Sequence, residues 1–369
     1  MDFCITQSQR DLSELTRQIL ADRAPPDRLA ELERAGDRFD PALWADLAAA
    51  GVLSAALPER AGGDGFDLAE QCSVLIELGR AASSAPYLES IVLGARAISA
   101  FGDDAQVGRW AKPAAAGQLI ITAALDEPGS GDPRAPATRA VPARPAEWLL
   151  TGTKTAVPAG PIAGLFLVPA TAPSGPLVFC VMPEDPGVRV GPQALTDGPG
   201  AAEVEFAGVA VGEDRILRTP DDAAAWLADR ATVGLCALQL GVAERALELT
   251  AKHARSREQF GRPVGAFQAV AQRLADAYID VEAIRLTLWQ AAWRLEQGLP
   301  CAAEIATAKF WAADAGHRVV HTAVHVHGGM GIDVSHPVHR YFAAAKRYEF
   351  ALGGATSQLL HLGGVLASS

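Results

Sequence analysis

The spacing of apolar positions changes its period twice along the chain. Residues 6–117 and the residues from 219 onward repeat their apolar positions at helical spacing. Between about 118 and 211, short alternating or continuously apolar runs are separated by Pro- and Gly-rich turns. The sequence therefore predicts an N-terminal α-helical domain at 1–117, a middle β domain at 118–212 and a C-terminal α-helical bundle domain at 213–369.

The same pattern predicts the individual elements. In the first helix, Leu12, Leu15, Ile19 and Leu20 share one face, and Asp40 and Pro41 open another helix. Strands are predicted at 119–124, 148–150, 165–169, 177–182, 188–190 and 202–206. Late helices are predicted at 301–327, 338–352 and 355–365, after a helix that ends at 298–300 and whose apolar face carries Leu274, Tyr278, Val281, Ile284 and Leu288.

A long Ala- and Leu-rich helix is predicted to start near Thr219, with Thr219 as its cap, Pro220 at its first position and Asp221 and Asp222 in its first turn. Its last turn is basic, and the turn at 255–263 reads Arg-Ser-Arg-Glu-Gln-Phe-Gly-Arg-Pro. Cations favour the negative end of a helix dipole, so a basic helix end without further role is one interpretation. The other motifs of the chain decide whether this basic turn is only a helix end or has a binding role.

The composition is that of a folded protein with a large core, since 49% of the 369 residues are hydrophobic and 20% are charged. A net charge of -11 argues against nucleic acid as a partner, because phosphate binding requires a basic surface. The N-terminus lacks a positive segment followed by an apolar run, and no uninterrupted apolar stretch reaches roughly 20 residues. We therefore expect a cytoplasmic protein without a membrane span.

Metal binding is a competing hypothesis. His317, His321 and His325 follow i, i+4, i+8 spacing, and a His pair at i, i+4 can chelate zinc. No carboxylate or Cys in the same segment completes a tetrahedral set, so no metal ligand is assigned. The cysteines are scattered and odd in number, which is typical of a reducing compartment. They are Cys4, Cys72, Cys180, Cys236 and Cys301.

Several motifs occur in a specific order. They are Pro58-Glu59 with Gly62-Gly63-Asp64-Gly65, then Asp126-Glu127-Pro128-Gly129-Ser130-Gly131, the run Trp148 to Lys154, Arg257-Glu258-Gln259-Phe260-Gly261 with Gln268, and His325 to Gly331. In this order the chain resembles the acyl-CoA dehydrogenase family of flavoproteins over essentially its whole length. A Rossmann fingerprint is excluded at 328–331, because those glycines follow a helix instead of a strand.

The resemblance implies an FAD-dependent α,β-desaturation of an acyl-CoA thioester. In this family a glutamate takes the α proton while flavin N5 accepts a hydride, and a neighbouring subunit of the usual homotetramer supplies groups for the FAD pyrophosphate and adenine. The resemblance places the following cofactor-binding residues in this chain: Arg257, Gln259, Phe260, Phe267, Gln268, His325, Val326, Gly328 and Gly329. Of these, His325 stands where the family generally has Gln, and it can still donate a hydrogen bond.

The residues with which a subunit holds its own flavin are mostly absent. Where the family usually places an aromatic residue and then a Thr, this chain has Ala156 and, at the Thr position, Pro158. Ala156 cannot stack on a ring, and Pro158 has neither a hydroxyl nor an N–H. Asp126 stands at the position of a Thr, where a carboxylate would repel a reduced, anionic flavin.

The catalytic base is also expected to be absent, so no catalytic residue is assigned. In one family branch the base precedes a Gly in the late helix-to-helix connection, where this chain has Leu352. In the other branch the base lies in the helix that leads to the turn of Arg257. Counting back from Phe260 to that position gives Ala231 in this chain. Neither side chain can take a proton. A base displaced to Glu349 or Asp229 is the alternative.

The residues that serve a neighbour's FAD are retained, whereas those with which a subunit holds its own flavin are mostly absent. The resemblance therefore implies a subunit that completes the FAD site of a partner. This resembles the heteromeric α2β2 branch of the family, which acts on CoA thioesters of steroid side chains and in which a homologous partner carries the catalytic Glu. Segments 86–90, 325–329 and 350–356 are similar to the non-catalytic chain. Two alternatives remain: a self-sufficient homotetramer, and a flavin-free structural paralogue in which Arg257 pairs with Glu258 or a helix carboxylate.

Overall fold

The structure, a computed structural model, describes residues 5–36, 38–129, 132–218 and 222–368. Helices come first, a β-sheet follows, and a second set of helices ends the chain. Its α-helices are α1 (Gln7–Arg23), α2 (Pro26–Ala35), α3 (Pro41–Ala49), α4 (Val52–Ala55), α5 (Leu68–Arg80), α6 (Arg96–Phe101), α7 (Asp104–Gln106), α8 (Lys112–Ala115), α9 (Ala223–Ser256), α10 (Gln268–Glu296), α11 (Ala302–His327), α12 (Val338–Phe350) and α13 (Ala355–Ser368). Segments Leu88–Ala95 and Val107–Ala111 are wound as π-helix.

Contacts along the chain define two compact units, each assembled from separate segments. The first contains Met1–Asp27, Cys72–Ser83 and Val233–Ser369, and the second contains Arg28–Gln71 and Ser84–Thr232. The first unit is built from helices, whereas the second holds the large sheet and most of the N-terminal helices.

The sheet of the second unit has the order β6-β7-β3-β2-β4-β5-β8, and β1 pairs in parallel with β4. Most neighbours are antiparallel, and the inward faces bury a core that includes Leu150, Phe166, Phe179 and Phe206. The strands are β1 (Ile121–Ala123), β2 (Arg139–Arg144), β3 (Glu147–Pro158), β4 (Leu165–Ala172), β5 (Gly175–Val181), β6 (Val188–Leu195), β7 (Gly198–Gly212) and β8 (Ile216–Leu217), with β9 (Glu258–Gln259) and β10 (Arg262–Pro263) in a separate hairpin.

All six predicted strands are present, as β1 and β3 to β7. The sequence did not predict β2, β8 or the β9–β10 hairpin. In β2 most residues are exposed and Pro142 interrupts the apolar pattern. Its extended conformation therefore depends on pairing with β3 and is not signalled by its own sequence. The missed strand β8 is buried but contains only two residues, too few to show an alternating pattern.

The glycine-rich loop after α4 has both features that its composition predicts. Gly62 and Gly65 adopt positive φ values of 85° and 81°, which are unfavourable for side chains with a Cβ. At Gly63 an added Cβ would lie 2.1 Å from the carbonyl oxygen of Leu57. The loop is therefore a backbone-packed turn in the second unit.

The long helix α9 begins at Ala223, and the carboxylate of Asp222 accepts hydrogen bonds from the N–H groups of Ala224 and Ala225. Asp222 therefore acts as a cap, while the predicted cap Thr219 and the first residues Pro220 and Asp221 lie outside the described residues. The helix ends at Ser256.

The predicted apolar face of α10 is buried only in part. Val281, Ile284 and Leu288 are buried, but Tyr278 is 60% exposed and Leu274 is only half-buried. The first turns of α10 extend along a surface that no other described element of the first unit covers, so their apolar residues remain accessible. Tyr278 thus shares the apolar face of α10 without being buried within this chain.

The segment from Val338 to Ser368 is long and apolar enough to span a membrane by length and composition alone. The structure divides it, because Leu352 and Gly353 take positive φ values of 55° and 91° between α12 and α13. Each of these two helices is shorter than the roughly 20 residues that a bilayer requires. Only 6% of the apolar window is buried within the chain, so it offers a large accessible apolar surface.

Helices α5 and α9 cross with their backbones in contact within the first unit. An added Cβ at Gly79 would lie 2.2 Å from the carbonyl oxygen of Leu238, and one at Gly241 would lie 2.0 Å from that of Ile76. Only glycine permits such an approach, and a side chain would have to push the helices apart.

We therefore expect Gly241→Ala to destabilise the chain by at least about 2 kcal/mol through overpacking. The matched control is Gly363→Ala, also inside a helix, where an added Cβ meets nothing within 4 Å. Helix propensity predicts that this control gains up to about 1 kcal/mol. Urea denaturation of both variants tests the difference, and equal midpoints would contradict the close crossing.

Candidate functional site

The basic turn that follows α9 is a tight β-hairpin. Gln259 pairs with Arg262, and Phe260 and Gly261 form the turn with φ values of 54° and 77°. Positive φ at both central positions is typical of the two-residue turns whose twist matches paired strands. The sequence did not predict the hairpin, because Phe is an unusual residue at the first of these positions, although Gly261 was a signal for the second.

Arg257 lies between the end of α9 and this hairpin. Its carbonyl accepts the N–H of Val264 at 2.7 Å, and its own N–H donates to the carbonyl of His253 at 2.8 Å. Its side chain is exposed and forms no ion pair with any described residue. The alternative pairing with Glu258 or a helix carboxylate is therefore not seen, and the guanidinium is available to a ligand.

Two aromatic rings lie in contact in the segment that follows Arg257. Phe260 is 93% exposed, and its ring meets that of Phe267 edge to face at 6.3 Å. The guanidinium of Arg262 lies 4.2 Å from the ring centre of Phe267. Gln268 is the exposed first residue of α10, whereas the amide of Gln259 donates to the neighbouring carbonyl of Glu258 at 2.6 Å. We call residues 257–268 the basic hairpin segment.

The second group of predicted residues lies where α11 ends. His325 is exposed and Val326 is half-buried in the last turn of that helix. Gly328 has φ 63° and ψ -138°, a conformation that essentially only glycine adopts. An added Cβ at Gly328 or Gly329 would meet nothing within 4 Å, so the backbone of this glycine turn (Gly328–Gly331) is open to a ligand.

The predicted flavin-facing edge of the sheet is arranged differently. The N–H of Thr155 donates to the carbonyl of Asp126 at 2.9 Å, and the N–H of Ala156 donates to Oε1 of Gln193 at 2.8 Å. The other amide atom of Gln193 donates to the hydroxyl of Thr155 at 3.1 Å. These contacts engage the N–H groups of Thr155 and Ala156 within the chain, and Pro158 has no N–H to offer.

Gln193 closes this edge, and sequence reasoning missed it. It lies on β6, a strand with mostly exposed or half-buried residues, and nothing in its neighbourhood along the chain signals the contact. The signal is the bulge in the partner strand: register shifts between Lys154 and Val157, and Ala156 adopts φ 50° there. The bulge turns the N–H of Ala156 toward Gln193.

A buried ion pair anchors the loop at this edge. Nζ of Lys154 lies 2.7 Å from Oε1 of Glu127, and their side chains are 0% and 3% exposed. The carboxylate also accepts the N–H and the hydroxyl of Thr138 and the N–H of Ala137. Lys154 and Glu127 thereby tie the loop that carries Asp126 to strand β3.

Burial by itself raises the pKa of Glu127, but the hydrogen bonds from Lys154 and Thr138 outweigh it, and the pKa lies below its usual value. Burial lowers the pKa of Lys154, and Glu127 offsets this only in part. The two side chains are thus desolvated together, each with the other as its counter-ion.

The two displaced-base candidates are both held in ion pairs. Oε2 of Glu349 lies 2.6 Å from Nζ of Lys346 and 3.2 Å from Nδ1 of His317. Asp229 is paired with Arg134 at hydrogen-bond distance. Both carboxylates are therefore engaged with cationic side chains of this chain, Glu349 with Lys346 and Asp229 with Arg134.

The positions that the family pattern assigns to the base hold apolar side chains. Ala231 is buried in α9, and Leu352 is half-buried in the connection between α12 and α13. The carbonyl of Leu352 accepts the amide of Gln358 at 3.0 Å. Neither position carries an atom that could remove a proton.

The predicted histidine series on α11 has structural contacts instead of a shared ligand. His317 and His321 are stacked at 4.1 Å, and His321 meets Phe342 edge to face at 5.0 Å. His317 also contacts Glu349 and Lys346, as described above. Among the described residues, no group of three His, Cys, Asp or Glu side chains is arranged to hold a metal ion.

Comparison with known proteins identifies the two helical parts of the chain. Residues 6–118 match the family model "Acyl-CoA dehydrogenase, N-terminal domain", and residues 223–366 match "Acyl-CoA dehydrogenase, C-terminal domain". The chain is 48% identical to acyl-CoA dehydrogenase FadE27 of Mycobacterium tuberculosis over 100% of both proteins. It is 35% identical to FadE28 of the same organism, over 87% of this chain and 91% of that protein.

Two solved structures are similar over nearly the whole chain. One is the ChsE4-ChsE5 complex from Mycobacterium tuberculosis, whose matched chain is 48% identical with a TM-score of 0.96 and full coverage of both chains. The other is a variant of the Tcur3481-Tcur3483 steroid ACAD, 41% identical with a TM-score of 0.93 and 98% coverage of both chains.

The buried ion pair leads to a prediction about stability. We expect Lys154→Met to destabilise the chain by about 3–5 kcal/mol, because it leaves the carboxylate of Glu127 buried without its counter-ion. The uncompensated carboxylate will have a raised pKa, so the deficit relative to wild type should shrink as the pH falls through that value.

Denaturant midpoints between pH 5 and 8 measure this deficit. The double variant Lys154→Met with Glu127→Gln is the control, since it removes both charges and should recover a part of the loss. A single variant as stable as wild type at pH 7.5 would contradict the role of the pair.

Proposed function

The chain belongs to the acyl-CoA dehydrogenase family, and we propose that it is the subunit of a heteromeric, FAD-dependent enzyme that completes the FAD site of a homologous partner. In this proposal the partner carries the catalytic glutamate and the main part of the active site. The observation that carries it is a contrast within one chain: the residues predicted to serve a neighbour's FAD are open, and those predicted to serve its own flavin are closed.

The open set fits the phosphate and adenosine parts of FAD. The exposed guanidinium of Arg257 can neutralise pyrophosphate, and the exposed ring of Phe260 offers a surface for an adenosine. The uncovered backbone of Gly328 and Gly329 admits a phosphate at close range, since no Cβ fills that space. Gln268 and His325, both exposed, add side-chain donors.

The closed set does not fit an isoalloxazine ring in this chain. The N–H groups of Thr155 and Ala156 at this edge are already bonded to the carbonyl of Asp126 and to Gln193. A ring would also find no stacking side chain where Ala156 stands. Donors that are already paired cannot bind a new ligand without losing those bonds, which supports a flavin housed mainly by another subunit.

The side chains at and near the expected base positions support a catalytic base in the partner. Leu352 and Ala231 are apolar, and the nearby carboxylates Glu349 and Asp229 are ion-paired. The alternative of a self-sufficient homotetramer would require one of these pairs to open for proton transfer. The alternative of a flavin-free paralogue leaves the exposed Arg257 and Phe260 without a role.

The relatives support a heteromer and a class of substrate. The similar solved structures are of a two-protein complex and of a two-protein steroid enzyme. We therefore propose a steroid side-chain CoA thioester as the substrate class of the complex, with α,β-desaturation as the reaction. FAD, when bound, supplies the hydride acceptor in this family.

Exposed apolar residues next to the open set provide a surface for the partner. Met330, Ile332 and Val334 are 44%, 72% and 75% exposed in and after the glycine turn. On α13, Leu360 and Leu366 are 74% and 63% exposed. A subunit that contributes residues to a neighbour's cofactor must be docked at those residues, and accessible apolar side chains favour such docking.

The first prediction concerns Arg257. We expect Arg257→Ala to weaken FAD binding to the complex by about ten- to a hundred-fold, since it removes a charge-assisted hydrogen bond to phosphate. Arg257→Lys should recover part of the affinity, because it keeps the charge but not the planar fork.

FAD titration of the flavin-depleted complex measures this affinity. Arg255→Ala is the matched control, an exposed arginine two residues earlier, at the end of α9. Unchanged FAD affinity in Arg257→Ala would refute the role of the basic hairpin segment.

The second prediction concerns the base. In the assembled complex, Glu349→Gln and Asp229→Asn should each retain turnover within about three-fold of wild type, whereas removal of a general base costs 10²-fold or more. Native mass measured beside the kinetics shows whether a variant still assembles. An assembled variant whose turnover is abolished would move the base into this chain.

A further inference from the structure

Three imidazole rings lie in contact in the first unit. The rings of His253 and His327 are stacked with centroids 4.4 Å apart and planes at 28°. The ring of His336 lies 5.0 Å from that of His327 at an angle of 52°. His327 is buried, and the other two are half-buried. We call these three residues the histidine cluster.

Each member belongs to a segment that the proposed function uses. His253 lies in the last turn of α9, and its carbonyl accepts the N–H of Arg257. His327 is the last residue of α11, directly before Gly328. His336 lies between the glycine turn and α12. The cluster therefore joins the base of the basic hairpin segment to both sides of the glycine turn.

Hydrogen bonds specify the protonation of two of these rings. Nδ1 of His327 donates to the carbonyl of Ala323 at 2.8 Å, so this nitrogen carries a proton. Nδ1 of His336 accepts the N–H of Val338 at 3.4 Å, so this nitrogen carries none. Val338 is the first residue of α12, and this bond satisfies one of the amides that a helix start leaves free. Protonation of His336 at Nδ1 would remove the acceptor.

The surroundings of His253 oppose its protonation. Burial lowers the pKa of His253, and the rings of His327 and His336 and the guanidinium of Arg257 act in the same direction. A proton on His253 would therefore lie against the stacked ring of His327 and near the permanent positive charge of Arg257.

His336 is shifted in the same direction. Burial and then His327 lower the pKa of His336, with His339 adding to this effect and Asp333 opposing it. A histidine whose pKa falls on folding stabilises the folded state above its unfolded value of about 6.5. This contribution is lost as the pH falls from there toward the folded value, so acid weakens the cluster.

We infer that the histidine cluster is a neutral support that positions the basic hairpin segment and the glycine turn for the FAD phosphates, and that acidification loosens it. The inference rests on the proposed function for the identity of the ligand. Its members are positioning residues, because their stacked rings hold one another and the backbone of the segments that meet FAD. The complex should therefore lose FAD affinity in mild acid before its helices unfold.

The test uses the complex of this chain with its partner, freed of flavin, titrated with FAD at pH 7.5 and 5.5. For wild type we expect the Kd of FAD to rise roughly three- to ten-fold over this interval; one linked proton of pKa about 6.5 would give about ten-fold, and the lowered pKa of His253 and His336 reduces it. The double variant His253→Phe with His336→Asn keeps an aromatic ring and an acceptor but cannot be charged at these two positions. Its Kd should change less than about two-fold.

His361→Asn is the matched control, an exposed histidine on α13, and it should follow wild type. A wild-type Kd that is constant with pH, or a double variant with the wild-type pH response, would overturn the inference.

A second readout does not depend on FAD. The melting temperature of the flavin-free wild-type complex should fall more steeply below pH 6.5 than that of the double variant, because the double variant has lost the two rings of the cluster whose pKa is lowered on folding. His253→Ala should weaken FAD binding at pH 7.5, and His253→Phe should restore it by stacking on His327. Equal melting profiles would contradict the support role, whereas failure of the proposed function is scored separately by Arg257→Ala.

Discussion

The ion pair between Lys154 and Glu127 is the interaction on which the closed edge of the sheet depends. Two charged groups are buried together there, and each would be costly without the other. The pair holds the loop of Asp126 against β3, where the carbonyl of Asp126 takes the N–H of Thr155. Gln193 then takes the next N–H, that of Ala156, across the bulge. The backbone donors of Thr155 and Ala156, at the edge predicted to face a flavin ring, are thus hydrogen-bonded within the chain.

The residues at the ends of α9 and α11 are exposed instead of being engaged within the chain. Arg257, Phe260 and the glycine turn are exposed, and the apolar side chains of Ile332 and Val334 beside them are uncovered. An isolated subunit would gain little from leaving these groups in water, since apolar surface favours burial and an unpaired guanidinium favours an anion. Engaged groups at the sheet edge and exposed groups at the helix ends, within one member of the family, are the physical basis for our proposal that this chain completes a partner's cofactor site.

The sequence predicted the order of helices and strands well because buried elements have strong apolar periodicity. The cofactor role of Arg257, Gln268 and Gly328 stays a prediction, and the structure shows that these residues are exposed at helix ends. The sequence could not predict Gln193, whose contact with Ala156 depends on a bulge in a neighbouring strand. It placed Tyr278 on the apolar face of α10 but could not show that this part of the face is exposed, because periodicity shows which residues share a face and not which part of that face is covered.

The account is tested most directly by flavin content together with native mass, for this chain expressed alone and with a homologous partner that carries the glutamate. It predicts that the lone chain is flavin-poor and inactive, and that the pair is an α2β2 complex with one FAD for each partner subunit. A lone chain that forms a yellow homotetramer with one FAD per subunit and oxidises an acyl-CoA would contradict it. The flavin-facing edge would then have to open, and Glu349 or Asp229 would have to act as the base.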